Sequence, residues 1–492
     1  MLLARGWLEN FPDIPRKEGF VVCLVFVPVR FLNSLAESLL KTDMRLGVNR
    51  SFKFFLTSLL LTASTLSAQS VTVLRNIPST YVYPSAGFLP FNIHRATQTM
   101  LSLMLRGATF DNPQGVACAL LKSDHDPKDP KQDVVVTLVG VNSGAGEIIY
   151  NVGLKDIRRF GTTGKGEHQF LNPTGVAINS DGDVAVADTG NHRIVLLKHD
   201  GLRLRWVKTI GKKGKAAGEF ENPLAVAYDS QNHLYIADAG NNRIQVRNAG
   251  GQFQVLNIQG LEAPCGLAVI DGKEAWVFYR QGDDANRLAV IDQMGARVQT
   301  FTLEGRPLAQ MTAAQIADPP MKLSGCAFDY YGNLVATDFE KSCLRKFDRT
   351  LHPLVSFGGP GADDFEFTEP RGIAFNRQFG QILVSEKDSV QYFWNGADAL
   401  NLKVSQHKTE ERIHFYLTER ALVTAAVLAA DGTEIKEVVR ARELEEGDQE
   451  LNWNPDTAVV SGDYQIKLKV MATYSSRDRV TKEIIETFSY KK

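Results

Sequence analysis

The sequence predicts an all-β chain in which six copies of a four-stranded unit stand around a ring. A phrase of the type Asn-Pro-x-Gly-Val-Ala recurs six times, with its last residue at Ala117, Ala177, Ala227, Ala268, Ala327 and Ala374. Such repeats are typical of supersecondary units that bury their apolar faces by stacking on their neighbours. No long helical pattern interrupts residues 110–395, which excludes a fold of alternating strands and helices. Together these observations predict a six-bladed β-propeller.

The second repeat shows the unit most completely. Polar turns separate its apolar runs, and Gly182 and Gly201 supply the positive φ that tight hairpins need. The third repeat follows the same scheme, so each copy is expected to form one antiparallel blade. In the second repeat the strands are expected at 175–178, 183–188, 193–197 and 204–210.

The sixth repeat has no fourth strand of its own, because its last apolar run ends at Trp394. An apolar run at 99–105 precedes the first repeat, in the place where other repeats carry their fourth strand. We expect this N-terminal strand to complete the sixth blade, since closure removes exposed sheet edges. A short helix over 96–106 is the alternative. The predicted propeller therefore spans residues 98–396.

Two segments carry a more specific pattern, Asp188-Thr-Gly-Asn-His-Arg193-Ile and Asp238-Ala-Gly-Asn-Asn-Arg243-Ile. They resemble the NHL repeat, and the chain resembles NHL-type β-propellers over the whole predicted ring. The resemblance implies the fold without implying one function, because propellers of this family include RNA binders, protein-binding ectodomains and a few lyases.

The C-terminal residues, 401–492, form a second predicted domain. Its strands are longer and more charged than those of the repeats, and Gly432, Trp453 and Tyr464 lie in the motifs Asp-Gly, Trp-Asn-Pro and Ser-Gly-Asp-Tyr. This pattern resembles the small Ig-like domain of the flagellar hook-capping protein FlgD. The resemblance implies a β-sandwich that acts as a spacer or docking module.

The N-terminal part of the sequence predicts export. Residues 44–68 have a basic head, an apolar centre and small residues at the end, which is the layout of a secretory signal peptide cleaved after Ala68. Because this signal begins at Met44, residues 1–43 are interpreted as a wrong start or an extended leader, and 69–97 as an N-terminal segment. We therefore expect a periplasmic, secreted or cell-surface protein with no stable membrane insertion.

Composition bears on partners and cofactors. The chain has 55 Lys and Arg against 56 Asp and Glu and no basic tract, which opposes a nucleic-acid partner. Nine scattered histidines form no zinc motif, so we expect no cofactor. Asp124, Asp126 and Asp129 are candidate calcium ligands through their carboxylates. The alternative interpretation is that this segment is a solvated hairpin. Cys265 and Cys326 could form a disulfide after export, and the sequence leaves this open.

Charged residues at the turn between the second and third strands of each blade have two interpretations. In the structural one, Asp188 pairs with Arg193 and Asp238 pairs with Arg243 inside the same blade. In the functional one, a set of polar side chains on this face grips an acidic or glycan ligand: Asn191, Arg193, Asn241, Arg243, Arg287 and Arg345.

The sequence favours a binding function over catalysis, since no nucleophile motif is present and no catalytic residue is predicted. We expect a monomeric exported binding or scaffold protein whose propeller face binds a protein or a glycan. The alternatives are an extracellular lyase or hydrolase of propeller type, and an RNA-binding propeller.

Overall fold

The computed structural model describes residues 72–74, 81–82, 95–122, 136–152, 156–272, 286–316, 320–377, 379–407, 410–474 and 481–492. Residues 1–43, the predicted signal peptide at 44–68 and the three candidate calcium ligands Asp124, Asp126 and Asp129 lie outside these ranges. Within the described ranges, no helix has the length and apolarity needed to cross a membrane.

The first three blades are four-stranded antiparallel sheets, as predicted. Blade 1 consists of Pro113–Ala119, Thr137–Asn142, Glu147–Val152 and Asp156–Phe160. Blade 2 consists of Val176–Ile178, Asp183–Asp188, Arg193–His199 and Leu204–Ile210. Blade 3 consists of Pro223–Tyr228, Leu234–Asp238, Arg243–Arg247 and Phe253–Val255. Between blades 1 and 2, Thr162–Thr163 pairs in parallel with Gln169–Phe170.

The next three blades repeat this order of strands. Blade 4 consists of Gly266–Ile270, Arg287–Asp292, Arg297–Phe301 and Pro307–Thr312. Blade 5 consists of Leu323–Phe328, Leu334–Asp338, Cys343–Phe347 and Pro353–Phe357. Blade 6 begins with Ile373–Asn376, Gln381–Ser385 and Ser389–Asn395. Single 3-10 turns lie at Thr189–Asn191, Ala239–Asn241, Gln293–Gly295 and Ala313–Gln315.

The first strand of each blade lies innermost and neighbours the first strand of the next blade, and the sixth neighbours the first, so the sheets form a closed ring. Hydrogen bonds cross these contacts. The Gly115 amide donates to the Thr174 carbonyl at 2.9 Å, and the Ser385 hydroxyl of blade 6 donates to the Gln114 carbonyl of blade 1. A β-carbon on Gly175 would lie 2.7 Å from the Leu224 carbonyl oxygen, which explains the glycine of the repeated phrase.

The N-terminal strand that closes the ring is not the one that the sequence predicted. Residues Gln98–Met104 form a helix, α1, so the prediction of a strand at 99–105 was wrong and the helical alternative is the one observed. Two shorter strands, Tyr81–Val82 and Arg95–Thr97, pair antiparallel with Ser389–Asn395 and together take the fourth position of blade 6.

The propeller also begins earlier in the chain than residue 98. Thr72–Leu74 pairs in parallel with Pro353–Phe357 and adds a fifth strand to blade 5. The segment 69–97, predicted to precede the propeller, therefore supplies three of its strands.

The C-terminal residues form two antiparallel sheets with a common core. One sheet contains Ala399–His407, Glu410–Leu417 and Gly447–Trp453, and the other contains Glu434–Leu444, Ala421–Ala429, Gly462–Ala472 and Thr481–Tyr490. This two-sheet unit begins at residue 399 rather than 401. The Ig-like and FlgD-type resemblance stays a prediction.

The two-sheet unit packs directly against blades 5 and 6, and one apolar core includes residues of both. Tyr331 of blade 5 packs edge-on against Tyr474, with ring centroids 5.9 Å apart. Beside them, Lys346 Nζ lies 2.5 Å from Glu419 Oε2 and 3.4 Å from Asp329 Oδ2. The side chains of all three charged residues are at most 2% exposed, so the two parts share a buried ionic cluster.

The residue before the proline has a left-handed backbone conformation in blades 2, 3 and 4, and substitutions there test why the repeat carries asparagine. Asn172 and Asn222 have φ of 45° and 47°, and Ala263 takes the same place in blade 4 with φ of 45°. Asparagine tolerates this conformation better than alanine, so Ala263→Asn should stabilise the fold by about 0.5–1 kcal/mol. Urea unfolding measures the change, and Asn222→Ala is the matched variant expected to lose a similar amount. Equal stability of all three proteins would contradict this explanation of the asparagines.

Candidate functional site

In blades 2, 3 and 4, the turn between the second and third strands places an aspartate opposite an arginine. Asp188 and Arg193 are cross-strand partners in blade 2, and Asp238 and Arg243 are partners in blade 3. We call the end of the propeller that carries these turns the corner face. Between each pair, a 3-10 turn and one left-handed residue, such as His192 with φ of 54°, reverse the chain.

Each arginine joins its own blade to the loop that precedes the blade. Arg243 Nε donates to Asp238 Oδ2 at 2.8 Å, and its two terminal nitrogens donate to three loop carbonyl oxygens, at Lys215, Ala216 and Glu219. Arg193 repeats this pattern with Asp188 at 2.7 Å and with the carbonyls of Lys165, Gly166 and Gln169. The paired aspartates are fully buried.

The second carboxylate oxygen of each corner aspartate accepts a hydrogen bond from a backbone amide just before the first strand of the same blade. Asp188 Oδ1 accepts the amide hydrogen of Leu171 at 2.7 Å, and Asp238 Oδ1 accepts that of Glu221 at 2.7 Å. Equivalent bonds run to side-chain oxygens from the amides of Asp111, Glu262, Lys322 and Thr368, with Asn142, Asp292, Asp338 and Glu386 as acceptors. The repeated acidic residue is therefore an anchor for its blade.

Blades 5 and 6 keep the acidic anchor, but the arginine that pairs with it comes from a different position in the chain. In blade 5, Cys343 faces Asp338, and Arg345, two residues further on, reaches Asp338 Oδ2 at 2.6 Å. In blade 6, the acidic residue is Glu386, and its arginine is Arg95 from the N-terminal strand, at 3.0 Å. The strand that closes the ring thus also supplies the missing corner arginine.

The predicted ligand-binding residues are mostly occupied by the framework. Asn191 Nδ2 donates to Asp188 and to the Gly164 carbonyl, and Asn241 does the same with Asp238 and Gly214. Together with the arginine contacts, these bonds give the structural arrangement expected for the two repeat pairs. Arg345 is 1% exposed.

Arg287 does not lie at a corner, so the prediction that placed it on the corner face was wrong. It begins the second strand of blade 4, whose far end carries Asp292, and it donates to the Arg349 carbonyl. The corner arginine of this blade is Arg297, with Nε 2.8 Å from Asp292. The five-residue spacing from Asp292 to Arg297 repeats that of blades 2 and 3 and could have identified it. No local pattern could have identified Arg95.

The loops held by the arginines expose charged side chains in fixed places. Lys165 and Lys215 stand at the same position of consecutive repeats, and both are exposed. Among the described residues, neither has an ion-pair partner, whereas the neighbouring Lys212 lies 3.3 Å from Glu219. Hydrogen bonds from the Ala216 amide and from Lys212 lower the pKa of Glu219, so that carboxylate stays ionised near neutral pH.

The opposite side of the corner face carries negative charge. The loop before blade 6 exposes Asp363 and Asp364, which directly follow the position that Lys165 and Lys215 occupy in the loops before blades 2 and 3. The Arg95 guanidinium donates to the Ala362 and Asp363 carbonyls, as Arg193 and Arg243 do in their own loops. The corner face therefore exposes Lys165 and Lys215 in the loops before blades 2 and 3, with Glu167 exposed beside Lys165, and exposes Asp363 and Asp364 in the loop before blade 6.

Among the described cysteines, Cys326 and Cys343 are buried and Cys118 and Cys265 are half-buried. Burial raises the pKa of Cys118 and of Cys265 to about 12 and raises that of Cys326 further. A thiol with such a pKa is a poor nucleophile and a poor metal ligand. Cys265 and Cys326 are both free. Among the described residues, no three His, Cys, Asp or Glu side chains are grouped as metal ligands would be.

A model of the NHL repeat matches residues 170–195 and 220–246, which lie in blades 2 and 3 and include both Asp–Arg pairs. The propeller is of the NHL type. Curated relatives match this chain over 43 residues: the B-box type zinc finger protein ncl-1 of Caenorhabditis elegans at 51% identity and Protein brain tumor of Drosophila melanogaster at 49%. Each match covers 9% of this chain and only 5% and 4% of those proteins, respectively.

Solved structures also resemble the NHL propeller. A streptogramin B lyase is 14% identical, with a TM-score of 0.39 over 58% of this chain and 94% of its own. A gluconolactonase from Xanthomonas campestris is 13% identical, with a TM-score of 0.40 over 61% and 93%. At these scores the likenesses carry no argument about activity, and the fold assignment rests on the strand order and the matched repeats.

Proposed function

We propose that this protein is an exported binding or scaffold protein whose corner face binds an acidic protein or glycan. The observation that carries the proposal is the pair Lys165 and Lys215, two exposed cations at equivalent positions of consecutive repeats. The predicted signal peptide at 44–68 supports export, and the C-terminal unit is proposed as the spacer or docking module.

Rigid loops favour such a role. The backbone carbonyl of each lysine accepts a hydrogen bond from the corner arginine of the following blade, Arg193 for Lys165 and Arg243 for Lys215. The cations therefore project from a preorganised backbone, and a ligand that binds them loses little further loop entropy. The opposite charge over blade 6, at Asp363 and Asp364, would orient a partner that carries both signs of charge.

Reversing the two charges tests this proposal. Lys165→Glu/Lys215→Glu should elute from immobilised heparin and from immobilised poly-glutamate at a clearly lower salt concentration than the wild type, because exposed charge contacts are screened by salt. Neither substitution removes a described side-chain bond, so the melting temperature should stay within about 2 °C of the wild type.

The matched control is Lys403→Glu/Lys436→Glu, which changes the net charge equally on exposed lysines of the C-terminal unit. It should elute like the wild type. If both double variants lose retention to the same extent, retention reports only net charge and the corner face is not the binding surface. Unchanged elution of the loop variant would also overturn the proposal.

A further inference from the structure

The junction between blades 6 and 1 is packed differently from the junctions ahead of blades 2 and 3. It contains a cavity of about 130 Å³, lined from blade 1 by Leu138, Gly140 and Ile149 and from blade 6 by Leu383 and Tyr392. Leu101 of helix α1 and Phe110 complete part of the wall. We call this space the seam cavity.

The sequence explains why the space is open here. Gly140 lies two residues before the corner residue Asn142, and blades 2 and 3 carry Val186 and Ile236 at that place, both fully buried. A β-carbon on Gly140 would meet its nearest neighbour, the Ile149 carbonyl oxygen, only at 3.9 Å. Blade 1 therefore lacks the side chain that fills the junctions ahead of blades 2 and 3.

A second residue adds to the opening. Phe170 and Phe220, each three residues before the proline of its repeat, are completely buried and plug the junctions ahead of blades 2 and 3. Phe110 occupies the same place ahead of blade 1 but is only half-buried. Helix α1 replaces the glycine-rich loop at this junction, so Leu101 closes the space in place of a fully inserted aromatic ring.

The wall selects apolar, uncharged occupants. Asn142 Nδ2 donates to Glu147 and to the Thr109 carbonyl, and Asn151 bonds the backbone of residues 136 and 138. The Ser385 hydroxyl accepts a hydrogen bond from the Gly372 amide and donates one to the Gln114 carbonyl. The Tyr392 hydroxyl accepts a hydrogen bond from the Trp394 indole at 2.7 Å. Because these four polar side chains already bond within the protein, a polar ligand that meets them would lose its hydration without replacement.

We propose that the seam cavity is a binding site for a small uncharged apolar molecule, about the size of one aromatic ring. A dry apolar cavity of roughly 150 Å³ in another protein accommodates benzene, which sets the scale for this one. The proposal does not depend on the corner face, because the cavity lies between the sheets and shares none of the exposed lysines.

Fluorobenzene is the probe for the test, with its ¹⁹F signal followed during titration of the full-length protein. The wild type should show saturable binding at one site, and Gly140→Val should weaken it by about tenfold or more by filling the cavity. Gly462→Val is the matched control, since Gly462 also lies in an antiparallel strand and a β-carbon there meets nothing within 4 Å. It should bind like the wild type.

A second variant keeps the test decisive if Gly140→Val does not fold. Leu101→Phe narrows the same space from helix α1 and should also weaken fluorobenzene binding. Absence of saturable binding to the wild type would overturn the proposal, and so would equal binding by both cavity variants when they are folded.

Discussion

Arg243→Ala is expected to lower the free energy of unfolding by about 3 kcal/mol, because it leaves a fully buried carboxylate without its cation. Asp238 would keep hydrogen bonds from Asn241, Gln245 and the Glu221 amide, which limits the loss. The loop carbonyls that lose their donor at Lys215 and Ala216 lie at exposed positions, so water replaces that donor there. Urea unfolding followed by tryptophan fluorescence measures the change.

Two further variants separate this from other causes. Asp238→Ala/Arg243→Ala removes both charges, and a double-mutant cycle then isolates the coupling between them. Arg440→Ala breaks the exposed pair of Arg440 with Glu437 and should cost no more than about 1 kcal/mol. If Arg243→Ala were as stable as the wild type but failed to bind heparin, the arginine would serve a ligand rather than the blade.

The sequence predicted the strands of the ring well because their ends are marked by residues with a local role. In blade 2, the predicted strands at 183–188 and 204–210 coincide with the observed ones. Gly182, with φ of 86°, is a turn residue whose conformation other residues rarely adopt. The same local information located the Asp–Arg pairs, since both members lie within five residues of each other.

Closure of the ring was predicted less well because it depends on contacts between distant residues. The run at 99–105 is rich in leucine and methionine, which favour a helix where no sheet partner decides otherwise. The observed closing strand, Arg95–Thr97, has only three residues and therefore no readable alternation. The arginine of this strand, Arg95, bonds Glu386, which lies 291 positions later in the sequence. Arg287 was misplaced for a similar reason, because the sequence did not show which end of its strand lies at the corner face.

The contact between blade 5 and the C-terminal unit also could not be predicted from the sequence, although it contains a cluster of buried charged side chains. Burial raises the pKa of Glu419 to about 7 and also raises that of Asp329. The Lys346 ammonium lies beside both carboxyl groups and lowers both pKa values, but it does not offset the effect of burial. Asn395 donates to the same Glu419 oxygen at 2.6 Å. Other titratable groups act on this cluster, namely Glu446, Tyr331, Tyr474 and Arg420.

This cluster should make stability depend on pH between about 4.5 and 7. The pKa of Glu419 rises from 4.5 to about 7 on folding, so in this window the folded protein holds a proton that the unfolded chain releases. The stabilisation linked to Glu419 is therefore complete below pH 4.5 and is lost as the pH rises through 7. Glu419→Gln imitates the protonated side chain and should keep that stabilisation at higher pH. Relative to the wild type, it should gain about 1–3 kcal/mol between pH 5 and pH 8.

Unfolding curves of both proteins at pH 5, 6.5 and 8 test this expectation. Glu483→Gln is the control, because Glu483 is half-exposed, pairs with Lys467 on the surface of the same unit and should show the wild-type dependence on pH. A Glu419→Gln variant that tracks the wild type at all three pH values would show that Glu419 is ionised throughout. The excess proton would then lie elsewhere, with Asp329 as the first residue to examine by the same substitution to asparagine. A variant that is less stable than the wild type at pH 8 would show that the ion pair with Lys346 outweighs the desolvation of the carboxylate.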